Sequence, residues 1–213
     1  MSELSFEVLG VEAERHAAAP TLNVGLRIGE HTGERVHAVA LNAQVRIDAQ
    51  RRSYDEDERA GVVDLFGDPA RWGSTLKPFL WTQAAAMVQG FRESTEAQLP
   101  MIVTYDFDVA AAKYLNALRG GEVPLSLSFS GTVFTRGSGG FSVERIPWHH
   151  DVDHRMPVQV WQELIAHHFP GKGWLRLDHT TITALQRFKS RRGLLSHDEA
   201  CAVLLREAGV HTP

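Results

Sequence analysis

The chain has 213 residues, of which 43% are hydrophobic and 23% charged, a composition that excludes intrinsic disorder. Its net charge of −4 and its pI near 6.2 show no overall basic character, so composition disfavours nucleic acid as a partner. The one cysteine, Cys201, rules out an intramolecular disulfide bond and fits a reducing compartment.

The first residues contain neither a basic segment nor a continuous apolar segment, so they do not resemble a secretory signal. No stretch approaches the ~20 apolar residues that a transmembrane helix needs. The most apolar run, at 79–88, is interrupted by Thr82 and Gln83. We therefore expect a cytoplasmic protein.

Alternating apolar and polar residues predict strands in the first part of the chain. Every second residue is apolar in 21–28 and again in 36–47, which is typical of half-buried strands. A shorter run at 4–12 predicts another strand. Because a glycine-containing turn at 29–34 separates the two longer runs, we expect them to form an antiparallel hairpin.

Helices and strands alternate in the middle of the chain. Acidic residues at 55–58 favour the start of a helix over 53–66, since carboxylates complement the helix dipole. The segment 79–88 fits a strand or a helix, and its flanking Pro78 and Gly90 favour the strand. A further strand is predicted at 99–105 and a helix at 107–118.

The last strands and helices are separated by Pro147. Residues 123–134 alternate, and 141–146 follow across a glycine-rich loop, which predicts a second hairpin. Helical patterns come next. Three helices are predicted, one starting at Pro157, one capped by Asp178 and one preceded by a capping box of Ser196 and Glu199.

Runs of strands followed by runs of helices predict an α+β fold. We expect an antiparallel β-sheet or sandwich body of about seven strands, with one inserted helix at 107–118 and a C-terminal helical segment. The predicted division is a β-rich body at 1–147 and a helical segment at 148–213, packed on the body as one domain.

Side chains that bind metals are concentrated at 148–154. His149, His150, Asp151, Asp153 and His154 are ligand types for zinc, nickel or iron, and they form the candidate metal site. In an extended segment His150 and His154 share one face and the other three residues share the opposite face, so convergence requires a turn. The alternative interpretation is a polar linker. Apart from such a metal ion, we expect no cofactor.

Two tryptophans and a basic cluster are candidates for contact with a partner. Trp148 and Trp174 flank predicted loops, where an exposed indole favours protein binding. The basic side chains at 187–192 form a cluster that could bind an acidic partner or RNA, and the alternative interpretation is a solvated helix end. The candidate partner-binding residues are Trp148, Trp174, Arg187, Lys189, Arg191 and Arg192.

No catalytic residue is predicted. Ser130 lacks the Gly-x-Ser-x-Gly elbow of a serine hydrolase. The acidic neighbours of Cys201 would disfavour its thiolate. No phosphate-binding glycine motif opens a helix.

Several stretches resemble an uncharacterised actinobacterial family encoded beside uptake nickel–iron hydrogenase genes. The stretches are 18–22 (AAPTL), 111–115 (AAKYL), 123–125 (VPL), 130–134 (SGTVF), 139–144 (GGFSVE) and 147–149 (PWH). The resemblance covers most of the chain and implies a hydrogenase-linked accessory role. It implies no mechanism and no catalytic residue.

The sequence therefore predicts a non-enzymatic accessory or protein-binding factor. The alternative is a metal-binding protein or a metal-dependent enzyme that uses the cluster of His149, His150 and His154. A small-ligand binder that uses a concave sheet face stays open as a third hypothesis.

Overall fold

Antiparallel strands form two sheets in the first of two compact units, Met1–Trp174 and Leu175–Pro213. The computed structural model describes residues 3–104, 109–137, 140–171, 173 and 175–210, without the side chains of residues 137, 141, 148 and 149. The strands are β1 (Leu4–Ala13), β2 (Thr21–Glu30), β3 (Val36–Ile47), β4 (Phe79–Phe91), β5 (Ser94–Ile102), β6 (Glu122–Gly137) and β7 (Gly140–Pro157). The predicted α+β fold is confirmed.

The strand order is β1-β2-β5 in one sheet and β4-β3-β6-β7 in the other. An immunoglobulin constant-type sandwich pairs its fourth strand with its fifth, whereas here the fourth strand pairs with the third in the larger sheet. The predicted hairpin of β2 and β3 is wrong, because residues 31–35 carry the chain from one sheet to the other. The predicted hairpin of β6 and β7 is confirmed, with Gly137 opposite Gly140.

The core lies between the two sheets. It consists of the apolar side chains of the alternating runs, which were predicted to share one face of each strand. Leu22, Val24, Leu26 and Ile28 of β2 are fully buried, as are the inward side chains of β3 and β6. Burying one such side chain contributes roughly 1.5–3 kcal/mol. Gly131 lets β3 and β6 approach, because a Cβ atom at its φ of 143° would overlap the carbonyl oxygen of Ala40.

Helical segments join the strands and follow β7. The predicted helix at 53–66 is two helices that meet at Val62, and the predicted helix at 107–118 is an eight-residue helix. The helices are α1 (Glu56–Gly61), α2 (Val63–Phe66), α3 (Trp72–Thr75), α4 (Ala110–Ala117), α5 (Val158–His168), α6 (His179–Arg191) and α7 (His197–Glu207). Across the described ranges, none of these helices combines the length and apolar character needed to cross a membrane.

The polar segment at 148–154 is the second half of β7. Its interpretation as a linker is wrong, because the backbone of residues 150–154 pairs with residues 125–129 of β6. The predicted boundary at 147/148 therefore lies within a strand, and α5 belongs to the first unit. Strand geometry accommodates this segment because one side of β7 contacts the core while the other is exposed.

The second unit contains α6 and α7. Asp178 precedes α6, but its side chain makes no capping hydrogen bond. Ser196 caps α7 by accepting a hydrogen bond from the Glu199 backbone amide at 3.0 Å. The Glu199 carboxylate accepts from the Leu195 amide instead of the Ser196 amide, so the predicted capping box is only half formed.

Candidate functional site

The face of the larger sheet that points away from the core is the outer face. None of its described side chains is buried, in contrast to the inward side chains of the same strands. The outer face consists of Ala38, Ala40, Asn42, Gln44 and Arg46 of β3, Leu80, Gln83, Ala85, Met87 and Gln89 of β4, Ser126, Ser128, Ser130, Thr132 and Phe134 of β6, and Val143, Arg145, Asp151 and Asp153 of β7.

One end of the outer face is apolar. We define the apolar patch as Ala38, Ala40, Met87, Phe134 and Val143. Ala40 pairs with Met87, Ala38 pairs with Phe134, and Phe134 pairs with Val143, so the patch crosses all four strands. Met87 is 68% exposed and Val143 is 63% exposed. Ala38, Ala40 and Phe134 are half-buried and connect these two exposed side chains. Contiguous apolar surface marks an interaction site more often than isolated apolar residues do.

A β-bulge in β4 places Met87 on the outer face. Phe79 pairs with the buried Ile47, and Met87 lies eight residues later, which in a regular strand would place both side chains on the same face. The register shifts by one residue at Trp81, because Leu80 pairs with Arg46 and Thr82 pairs with Val45. The extra residue reverses the faces and directs Met87 outward.

The other end of the outer face is polar. Gln83, Gln44, Ser128 and Asp151 form one row across the four strands. Charge is distributed unevenly along β7, because Arg145 borders the apolar patch and two aspartates lie at the polar end. The outer face thus has an apolar end that is bordered by Arg145 and a polar end where Asp151, Asp153 and Arg46 lie.

The structure divides the candidate metal ligands between two faces of β7. Asp151 and Asp153 lie on the exposed outer face, and Asp153 accepts a hydrogen bond from Arg51 at 2.6 Å. His150 and His154 lie on the opposite side, opposite Phe129 and Leu125 of β6. This division is the one expected for an extended segment.

The two histidines do not converge on one point. They are four residues apart on one strand, a separation of about 13 Å. The His150 ring packs edge-on against Phe6, with 5.4 Å between ring centroids. Burial lowers the pKa of His154, and the negative charge of Glu122 offsets part of this lowering.

Among the described residues no cluster of three potential ligands could hold a metal ion. The side chain of His149 lies outside them, so the metal site stays a prediction.

The candidate partner-binding residues lie in both units. Trp174 and the Trp148 side chain lie outside the described residues. Arg187 and Lys189 lie on α6, where the Arg191 side chain donates to the Arg187 carbonyl oxygen at 3.4 Å.

Arg192 follows α6 and has contacts within the second unit. It forms an ion pair with Glu207 at 2.8 Å and covers the Phe188 ring at 5.1 Å from the ring centroid. Its charge therefore helps to join the two helices.

A serine–histidine contact occurs at the edge of the smaller sheet, beside a cleft of about 460 Å³. Ser5 Oγ lies 2.8 Å from His31 Nε2, and both side chains are exposed. A Cβ atom at Gly29 would overlap the Ser5 hydroxyl. Among the hydrogen bonds of the described residues, no carboxylate orients the second ring nitrogen of His31, as the acid of a catalytic triad does.

A buried polar network positions the helices and was missed by sequence reasoning. Arg52 forms an ion pair with Glu58 at 2.8 Å, with 8% and 4% of the side chains exposed. Tyr54 donates to the Ala49 carbonyl oxygen at 2.6 Å, so its oxygen accepts the Tyr114 hydroxyl proton at 2.8 Å. Burial raises the pKa of both tyrosines. The capping-box spacing of Asp55 and Glu58 was the available sequence signal.

The fold defines a β-sandwich protein with an exposed sheet face and a second, two-helix unit. The chain belongs to DUF6084, a family of unknown function whose profile matches residues 1–213. No curated protein matches the sequence.

Solved structures show weak similarity to the chain. The ApaA protein from Bordetella pertussis is 8% identical with a TM-score of 0.31, covering 73% of this chain and 94% of that one. β-Glucosidase 3B from Thermotoga neapolitana is 14% identical with a TM-score of 0.29, covering 72% and 17%. AggA, the major fimbrial subunit from Escherichia coli, is 8% identical with a TM-score of 0.27, covering 73% and 93%. Similarities of this size transfer no function.

Proposed function

We propose that the protein is a non-enzymatic accessory factor that binds another protein through the outer face. The observation that carries the proposal is the apolar patch, which crosses four strands and includes two apolar side chains that are more than 60% exposed. Leaving such side chains in water forgoes the free energy of burial, roughly 25 cal/mol per Å² of apolar surface. A protein partner that covers them recovers that free energy.

The composition of the patch favours a protein partner with an apolar centre and an acidic rim. Methionine, aromatic residues and arginine are enriched at protein interfaces. Met87 and Phe134 supply the first two, and Arg145 lies beside them opposite Thr132. An acidic side chain on the partner would complement Arg145 and fix the orientation of binding.

The resemblance to a family encoded beside uptake nickel–iron hydrogenase genes directs the choice of partner. We propose a hydrogenase subunit, or a protein that assembles or matures the hydrogenase, as the first partner to test. Neither the outer face nor the fold specifies that partner. The hydrogenase link and the binding face are therefore tested separately.

The test compares binding of the wild-type chain with single charge insertions. We expect Met87→Glu and Val143→Glu each to weaken binding to the purified hydrogenase complex at least tenfold in Kd, because each places a charge in a desolvated apolar contact. Ile102→Glu is the matched control, because Ile102 is 71% exposed but lies on the smaller sheet.

If neither Met87→Glu nor Val143→Glu changes the Kd, the outer face is not the interface. A wild-type chain that binds no hydrogenase component would refute the hydrogenase link alone.

A further inference from the structure

Each sheet has two edge strands, β1 and β5 in the smaller sheet and β4 and β7 in the larger one. Three of these four edges contain features that hinder pairing with a further strand. β1 has a bulge at Leu9, where the register with β2 shifts. β5 contains Pro100. β7 contains Pro147 and charged side chains on either side of it.

The edge of β4 lacks these features over most of its length. The strand contains neither a proline nor a charged side chain from Phe79 to Phe91. Its register shift lies at Trp81, so residues 82–91 form a regular strand. Among the described residues, the backbone of β4 forms hydrogen bonds with β3 and with no second strand. A long, uncharged edge of this kind is a template for pairing with another strand.

The sequence of β4 is self-complementary about Ala86. Gln83 and Gln89 each lie three residues from Ala86, and Ala85 and Met87 each lie one residue from it. Antiparallel pairing of two copies centred on Ala86 therefore places Gln83 opposite Gln89 of the second copy, and Ala85 opposite Met87 of the second copy. A small side chain then meets a large one, and two amides meet at each end. A two-fold axis repeats both contacts.

The same residues distinguish this register from its neighbours. A shift of about two residues is the smallest that keeps both outer faces on one side, and it places Met87 opposite either Gln83 or a second Met87. Both shifts separate Gln83 from Gln89. The side chains of Gln83, Ala85, Met87 and Gln89 are exposed, so a second copy can reach them. Because β4 carries no charge, a second copy meets no electrostatic repulsion there.

We propose that the protein forms a symmetric dimer in which β4 pairs with β4 of a second copy, centred on Ala86. The two four-stranded sheets become one sheet of eight strands. About six to eight backbone hydrogen bonds form over residues 83–89, because alternate residue pairs of an antiparallel ladder exchange two bonds each. These bonds provide affinity, and the paired side chains fix the register. The dimer does not rest on the proposed accessory function, and it leaves both apolar patches on the same side of the joined sheet.

Sedimentation equilibrium of the purified full-length chain tests the dimer without any other protein. We expect a reversible dimer of twice the chain mass of 23.7 kDa, with a Kd below about 100 µM. Gln83→Glu combined with Gln89→Glu places like charges opposite each other at both ends of the pairing, and we expect the Kd to rise about tenfold or more. Gln83→Lys combined with Gln89→Glu places opposite charges there, and we expect the wild-type Kd or a lower one.

The matched control adds the same two negative charges to β5. Ser94→Glu combined with Gln98→Glu changes two exposed side chains of the smaller sheet, and we expect an unchanged Kd. Because all the substituted residues are exposed, each variant should keep the wild-type melting temperature, measured by circular dichroism. The two β4 variants differ only at residue 83, so a difference between their Kd values reports the contact between residues 83 and 89.

Three results would each overturn the proposal. A wild-type chain that forms no dimer with a Kd below about 100 µM would leave the edge to a strand of another protein. A Kd that the two glutamates on β4 raise no more than the two on β5 would place the interface elsewhere. Equal Kd values of the two β4 variants would exclude the register centred on Ala86.

Discussion

Arg52 Nη2 lies 2.8 Å from Glu58 Oε1, and both side chains are almost completely buried. Glu58 also accepts a hydrogen bond from the Arg119 backbone amide at 2.9 Å, and Arg52 donates to the Gly120 carbonyl oxygen at 3.2 Å. The pair therefore joins the start of α1 to the segment between α4 and β6. Removing one partner leaves the other charge buried and unpaired, which is strongly destabilising.

We expect Glu58→Gln to lower the free energy of unfolding by roughly 3–5 kcal/mol, measured by urea denaturation. The control is Asp57→Asn, which breaks an exposed ion pair with Arg119 and should cost less than about 1 kcal/mol. Equal effects of the two substitutions would contradict the structural role of the buried pair.

The lowered pKa of Glu30 predicts that the protein loses stability in acid. Burial acts to raise its pKa, but interactions led by the hydrogen bonds from the Thr32 hydroxyl and the Thr32 backbone amide outweigh burial and hold the pKa below its ordinary value. A lowered folded-state pKa gives stability that is present above the unfolded pKa and is lost as pH falls through the folded pKa.

We expect Glu30→Gln to reduce stability at neutral pH by about 1–3 kcal/mol and to flatten the acid side of the stability profile. Urea denaturation between pH 3 and pH 7 measures both effects. Glu34→Gln, at an exposed residue nearby, serves as the control. An acid profile of Glu30→Gln that parallels the wild type would rule out this contribution.

The raised pKa values of Tyr54 and Tyr114 predict that the protein loses stability in alkali. Burial raises the pKa of both hydroxyls above the ordinary value of 10.0. Their contribution is present below the unfolded pKa and is lost as pH rises toward the folded pKa. Absorbance titrations measure phenolate formation. At pH 10–11, while the protein is folded, we expect the wild type and Tyr114→Phe to show the same phenolate absorbance, because Tyr114 stays protonated. A phenolate lost with Tyr114→Phe at that pH would show that Tyr114 ionises normally.

The two-unit division predicts that residues 1–174 fold without the rest of the chain. The second unit buries only Ala200 among its described residues, so it holds little of the core. We expect the truncated chain to unfold cooperatively, and residues 175–213 alone to show little helix, since two short isolated helices are marginal in water. Circular dichroism checks both. A truncated chain without cooperative unfolding would contradict the division.

The sequence predicted which residues form strands more reliably than which strands pair. Alternation in β2 and β3 reports that one face of each strand is buried, and a sandwich buries both strands equally well in different sheets. The turn at 31–35 contains no sequence feature that distinguishes a hairpin within one sheet from a connection between the two sheets. The bulge at Trp81 likewise left the strand intact but exchanged the faces of Phe79 and Met87.

The candidate sites depended on contacts that local patterns do not contain. The ligand types at 149–154 were visible in the sequence, but a continuous strand directs alternate residues to opposite faces. The apolar patch combines side chains from four strands, so it appears only when the register is known. The Tyr54–Tyr114 contact joins residues 60 positions apart, and no periodicity relates them.

The most direct test of the outer face is site-specific photocrosslinking in cells of the organism that encodes the protein. A benzophenone side chain is placed at residue 87, at residue 143 or, as the control, at residue 102. We predict that one and the same partner protein is crosslinked from residues 87 and 143 and not from residue 102. Equal crosslinking from residue 102, or none from residues 87 and 143, would contradict it.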